Sequence, residues 1–129
     1  MTFTSDYSAE QRLKVNQAIQ QVQQQIRWKS GKDVEHLQTR KRHGHLAKSA
    51  TLADYHAIIF FVVSSKQAQL YMYRWREDLY LTIVAPYQGK IWLVMLSMDG
   101  ILVTAFPPTD PEIYLADQRF SHYGLLTEL

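Results

Sequence analysis

The chain has 129 residues, 47% apolar and 20% charged, with a formal net charge of +2. That length suits one domain, residues 1–129, with a buried core, and the apolar fraction argues against disorder. It contains no cysteine, which excludes disulfides, thiolate zinc sites and a cysteine nucleophile. The longest apolar runs, at 58–63 and 91–96, are too short to span a bilayer. The first residues lack a cationic start followed by an apolar block, so no leader peptide and a cytoplasmic location are expected.

Residues 8–27 read as a helix. Ser8-x-x-Gln11 is a capping-box pattern, and Val15, Ile19, Val22 and Ile26 follow at helical spacing with glutamines opposite. Ser30-Gly31 is expected to stop it. A weaker helix starts near Asp33 and carries His36 and Leu37, with Gly44 interrupting or ending it. Thr51-x-x-Asp54 opens a third helix with Leu52, Tyr55, Ile59, Val62 and Val63 on one face.

After Ser64-Ser65 the period falls to two. Strands are expected at 70–75, 79–85, 91–98 and from Ile101 to the Pro107-Pro108 stop. The turns fall at 76–78 and 87–90. Asp99-Gly100 reads as a two-residue type I′ hairpin, a register that sets Thr104 opposite Met95. Asp110-Pro111-Glu112 has the form of an N-cap with proline at the first helical position. The fold class expected is α+β: N-terminal helices on one face of a four-stranded antiparallel meander, then a short C-terminal helix. The other sheet face is partly wet, with Tyr71, Tyr73, Tyr80 and Trp92 as candidates to line it.

Charge is unevenly spread. From Arg27 to Lys48 there are seven Lys or Arg against Asp33 and Glu35, a local +5. From Asp99 onward five acids face one arginine, a local −4. His36, His43 and His45 lie inside the basic stretch. Imidazoles titrate near neutrality, and cations beside them suit the handling of a phosphodiester without a metal. RNA cleavage by its own 2′-hydroxyl needs a base, an acid for the leaving oxygen, and positive charge for the phosphorane-like state. His43 is the first candidate, with His45 beside it. His36, seven residues earlier, falls on the same helix face. Arg40, Lys41 and Arg42 are the nearest phosphate contacts, with Lys48 and Arg74 as weaker ones. Tyr73 can stack a base, although such rings more often pack. No carboxylate stands at a suitable spacing for a zinc site with the three histidines, so no metal and no cofactor are expected.

The order of these pieces resembles the barnase/EndoU/colicin/RelE-like superfamily of metal-independent ribonucleases, and more narrowly its small toxin-type and phage-type members. The residues that carry it are WKSGKDVEHL (28–37), KRHGH (41–45), TLADYHAII (51–59), QLYMYR (69–74), KIWLVM (90–95), DGILVTAFPP (99–108) and PEIYL (111–115). The resemblance implies a basic or imidazole side chain from the helical part set against a Ser or Thr on the last strand of the meander. By that pattern Thr104 matches the strand hydroxyl, and His43, or alternatively His36, the helical partner. It further implies an endoribonuclease toxin acting on tRNA or another cellular RNA, held off by an acidic antitoxin or immunity protein. The alternatives are a non-catalytic nucleic-acid-binding module and a protein-interaction module of the same fold.

Overall fold

The computed structural model describes residues 7–129. The expected absence of a leader peptide rests partly on the first six residues, which lie outside the described ones. Three helices come first: α1 (Ala9–Gln24), α2 (Lys32–Arg42) and α3 (Leu52–Val63). Strands β1 (Gln69–Trp75), β2 (Asp78–Tyr87), β3 (Lys90–Ser97) and β4 (Leu102–Phe106) follow. Helix α4 (Pro111–Leu115), strand β5 (Phe120–Leu125) and a 3-10 turn (Leu126–Glu128) complete the chain. None of the described helices is long and apolar enough to cross a membrane.

Capping sets the helix starts. Ser8 and Gln11 form a reciprocal capping box on α1, and Thr51 and Asp54 form another on α3. Asp110 accepts from the Ile113 amide at the start of α4, with proline at the first helical position. Helix α1 is shorter than the 8–27 expected, ending at Gln24. Its stop is not Ser30-Gly31. Residues beyond Gln25 leave the helix because Arg27 and Trp28 join the sheet: the Leu102 amide donates to the Arg27 carbonyl at 2.8 Å, and Trp28 bridges to Leu102 in parallel. Gly31, at φ 80°, instead caps the start of α2.

The antiparallel sheet has five strands in the order β4-β3-β2-β1-β5, one more than the four-stranded meander expected. The added strand, β5, pairs antiparallel with β1 at the edge opposite β4. Residues between β4 and β5 therefore carry the chain from one edge to the other. Tyr114 of α4 touches both, with its ring against Phe106 of β4 and Phe120 of β5.

The main core lies between the helices and one sheet face. It joins Val15, Ile19 and Val22 of α1 and Tyr55, Ile59, Val62 and Val63 of α3 to Leu70, Met72, Leu81, Ile83, Val94 and Leu96. Trp92 belongs here, 3% exposed, and so does not line the wet face. The opposite face holds a smaller cluster, Val84, Leu93 and Met95, packed by Tyr71, Tyr73, Tyr80, Phe106, Leu115 and Phe120. It is covered in part by the tail.

The type I′ turn expected at Asp99-Gly100 occurs instead at the preceding hairpin. Gln88 and Gly89 carry φ of 48° and 81°, the paired positive values of a two-residue type I′ turn, with Tyr87 opposite Lys90. Asp99-Gly100 belongs to a three-residue loop instead. The Gly100 amide donates to the Ser97 carbonyl and the Ser97 amide to the Ile101 carbonyl, with Gly100 at φ 81°. This loop pairs Leu96 with Leu102, one residue out of the expected register. A bulge at Val103 then restores it, so Met95 does face Thr104.

The α1 helix leaves no space at this hairpin. A Cβ on Gly100 would stand 2.7 Å from Gln21 Oε1 and 3.3 Å from the Ala18 carbonyl, at a backbone conformation that other residues avoid. Gly100→Ala is expected to cost about 1–3 kcal/mol, read as a lower urea midpoint. An unchanged midpoint would show that the hairpin is free to move away from α1.

Candidate active site

The basic segment of the sequence becomes the linker and α2, laid against edge strand β4. Trp28 is fixed by its bridge to Leu102. Its indole N–H donates to His56 Nε2 at 3.0 Å, which leaves the other ring nitrogen of neutral His56 to carry the proton. Its ring also stacks on His36, with centroids 5.3 Å apart and planes 28° apart. His36 projects from α2 to within hydrogen-bond distance of the β4 hydroxyl: Nδ1 and Thr104 Oγ1 are 3.4 Å apart. Beneath them the Tyr55 hydroxyl donates to the Ala105 carbonyl at 2.6 Å, tying α3 to β4. Burial pushes the Tyr55 pKa up, so it stays a donor at any ordinary pH.

A cavity of about 510 Å³ opens beside this group. His36 lines it with Trp28, Lys29, Lys32 and Tyr80, and the β3–β4 hairpin supplies Ser97, Asp99 and 101–103. Asp99 is the one acid in that lining. Lys32 forms an exposed ion pair with Glu35 at 3.2 Å, an interaction weak enough in water to yield to a stronger anion. Thr104 does not itself line the cavity and reaches it through His36.

Burial lowers the His36 pKa, and Arg40 one turn away lowers it further. A neutral imidazole with Nδ1–H donating to Thr104 keeps its lone pair on Nε2. That is the state a general base requires. The threonine hydroxyl then has its own hydrogen free.

Helix α2 ends in a Schellman motif. The His45 amide donates to the Arg40 carbonyl at 2.9 Å and the Gly44 amide to Lys41, with Gly44 at φ 74°. This turns His45 back so that its Nδ1 lies 3.3 Å from an Arg40 terminal nitrogen. Burial, Arg40, His43 and Lys90 all lower the His45 pKa.

The sequence-derived residues thus divide. The structure brings together His36 and Thr104. His43 is the exposed C-cap of α2, about 10 Å further along the axis at 1.5 Å per residue, and its ring neighbour is His45 at 5.5 Å. Arg40 is buried between the two groups, with its guanidinium 5.3 Å over the Phe106 ring. Arg42 donates to Thr39, Lys41 is half-buried, and Lys48 is exposed beyond the helix. Arg74 lies elsewhere, in a separate cavity at the β1–β2 hairpin with Arg76 and Arg119. Tyr73 packs on Phe120 and under Arg119. Trp28, Lys29, Lys32 and His56 escaped the sequence reading as individual site residues. Lys32, His36 and Arg40 recur every fourth residue, which was the available signal for one helix face. Nothing in the sequence announced that Trp28 would pair with Leu102.

Comparison with protein-family models, curated proteins and solved structures gives no match for this chain.

Three histidines, His36, His45 and His56, have lowered pKa values, each first by burial. Their folded pKa lies below the unfolded value, so the unfolded chain binds more protons across the interval between the two. Stability is expected to fall as pH drops from about 7 through the depressed values, where 6.5 is the ordinary pKa. Urea midpoints at successive pH values check this, and a midpoint constant between pH 7 and 5 contradicts it. In the same titration followed by NMR, Trp28→Leu should move the His36 pKa up by opening its ring to water.

Proposed function

We propose that this chain is a metal-independent endoribonuclease of the barnase/EndoU/colicin/RelE-like kind. The observation that carries the reading is the His36–Thr104 contact between α2 and β4, at a cavity that also holds Lys29 and Lys32. His36 takes the proton of the ribose 2′-hydroxyl through Nε2. The freed oxygen attacks the adjacent phosphorus and the bond to the 5′-oxygen breaks, leaving a 2′,3′-cyclic phosphate and a 5′-hydroxyl as the leaving oxygen takes a proton from water. Lys29 and Lys32 meet the charge that builds on the phosphate, a role for which fixed cations need no reorganisation. Thr104 positions the imidazole by accepting from Nδ1–H. Trp28 and Tyr80 supply aromatic walls for a base.

Of the two helical partners the resemblance allows, this reading takes His36 over His43. It departs from the resemblance in one way, in that the Thr104 hydroxyl engages the imidazole before any phosphate. The toxin role, a tRNA target and an acidic inhibitor protein rest on the resemblance. The exposed cations of the linker and α2 are the surface such an inhibitor would cover, by charge and by occlusion.

The test is cleavage of single-stranded RNA in EDTA, with products separated to identify cyclic phosphate ends. His36→Ala is expected to lower the rate by about a hundredfold or more. Thr104→Val keeps the strand shape and should lower it by about tenfold, chiefly in kcat. Salt-sensitive RNA binding without turnover would hand the result to a binding module. Full activity in His36→Ala would remove the site.

A further inference from the structure

Arg40 is 8% exposed, and neither ion pair among the described residues involves it. Its Nε has no hydrogen-bond partner. Its contacts are neutral or aromatic: His45 Nδ1 at 3.3 Å and the Phe106 ring. A buried guanidinium without an anion is costly, since neither water nor a carboxylate repays its desolvation. Retaining one points to an anion that arrives from outside.

His45, which Arg40 contacts, lines a cavity of about 420 Å³, distinct from the one at His36; Arg40 stands behind His45 and is not itself part of the lining. Lys90 lines the cavity as well. Pro107, Pro108 and Pro111 form much of the remaining wall, three of the chain's four prolines, whose fixed φ makes the wall stiff. No acid lines this cavity. Lys90 is exposed and acts electrostatically on His45. With Nδ1 accepting from Arg40, neutral His45 carries its proton on Nε2, a donor for an incoming oxygen.

We infer that His45 and Lys90, with the unpaired charge of Arg40 behind His45, form a second anion site, which holds a phosphate of the RNA strand flanking the linkage cleaved at His36. The inference rests on the ribonuclease reading for the identity of its ligand. Helix α2 sets the spacing, since His36 and Arg40 both project from it, one turn or ~6 Å apart along the axis. That is on the order of two steps of a strand at ~3.4 Å each.

The test uses deoxydinucleotides, which lack the 2′-hydroxyl and bind without being cut. The parent thymidine dinucleotide is compared with forms carrying an added 5′- or 3′-phosphate, following the His45 ring and Arg40 Nε–H signals by NMR. One phosphorylated form is expected to bind about tenfold more tightly than the parent, the effect of one charge-assisted contact, and to shift both signals. Lys90→Ala should cut that gain severalfold. Arg40→Met should abolish it without lowering Tm, because the apolar stem fills the same space without a buried charge. Equal binding of all three probes, or a gain that survives Lys90→Ala and Arg40→Met, overturns the site. A gain that holds in a chain that fails to cleave RNA keeps the anion site and removes only the ribonuclease reading.

Discussion

The hydrogen bond from the Leu102 amide to the Arg27 carbonyl governs the arrangement of the rest. Edge strand β4 would otherwise offer its outer backbone groups to solvent or to another chain. The short extended segment after α1 occupies part of that edge. It thereby stops α1 at Gln24, brings Trp28 against Leu102, and starts α2 at Gly31 alongside β4. The contacts that Trp28 makes at the candidate site follow from this placement. Trp28 can stack on His36 and bond His56 only because the linker is held to the strand. His36 can meet Thr104 only because α2 is thereby set beside β4.

The edge also explains the bulge. A three-residue hairpin at 98–100 shifts the pairing by one position, which would turn the β4 side chains over to the wrong faces. The extra residue at Val103 corrects the register before Thr104 is reached. Leu102 and Ala105 then enter the main core, while Phe106 packs in the cluster on the opposite face. Val103 and Leu102 also line the cavity at His36. Bulges commonly re-aim side chains beside functional sites, and this one fixes both which residues face the cavity and which hydroxyl meets the imidazole.

Elements with strong local signals were legible in the sequence. The capping boxes at Ser8 and Thr51 and the proline start of α4 are short-range chemistry, and each stands as read. The fifth strand was not. Its residues, FSHYGL, mix serine, histidine and glycine with only weak alternation, and pairing with β1 across some 50 residues is what makes them a strand. Trp92 was misassigned for a related reason. In a central strand both faces are buried, so alternation cannot tell core from groove. At the candidate site, the sequence marked the segment that lies against β4 but ranked His43 above His36. Density of charge favoured KRHGH, whereas burial, which lowers a histidine's pKa and aims it, was set by Trp28 and β4.

Arg40 connects the two histidines chemically as well as sterically. Its positive charge lowers the pKa of both His36 and His45. In the free protein this favours the neutral form of both imidazoles. An anion seated beside Arg40 offsets that charge, and the field on both rings weakens together. Each then holds a proton more readily. A base must first accept a proton and then retain it while the leaving oxygen departs, so a field that relaxes when the strand binds serves the second half of that cycle. The cost of burying Arg40 unpaired would then be the means by which a phosphate bound at His45 adjusts the imidazole of His36, one turn of α2 from Arg40.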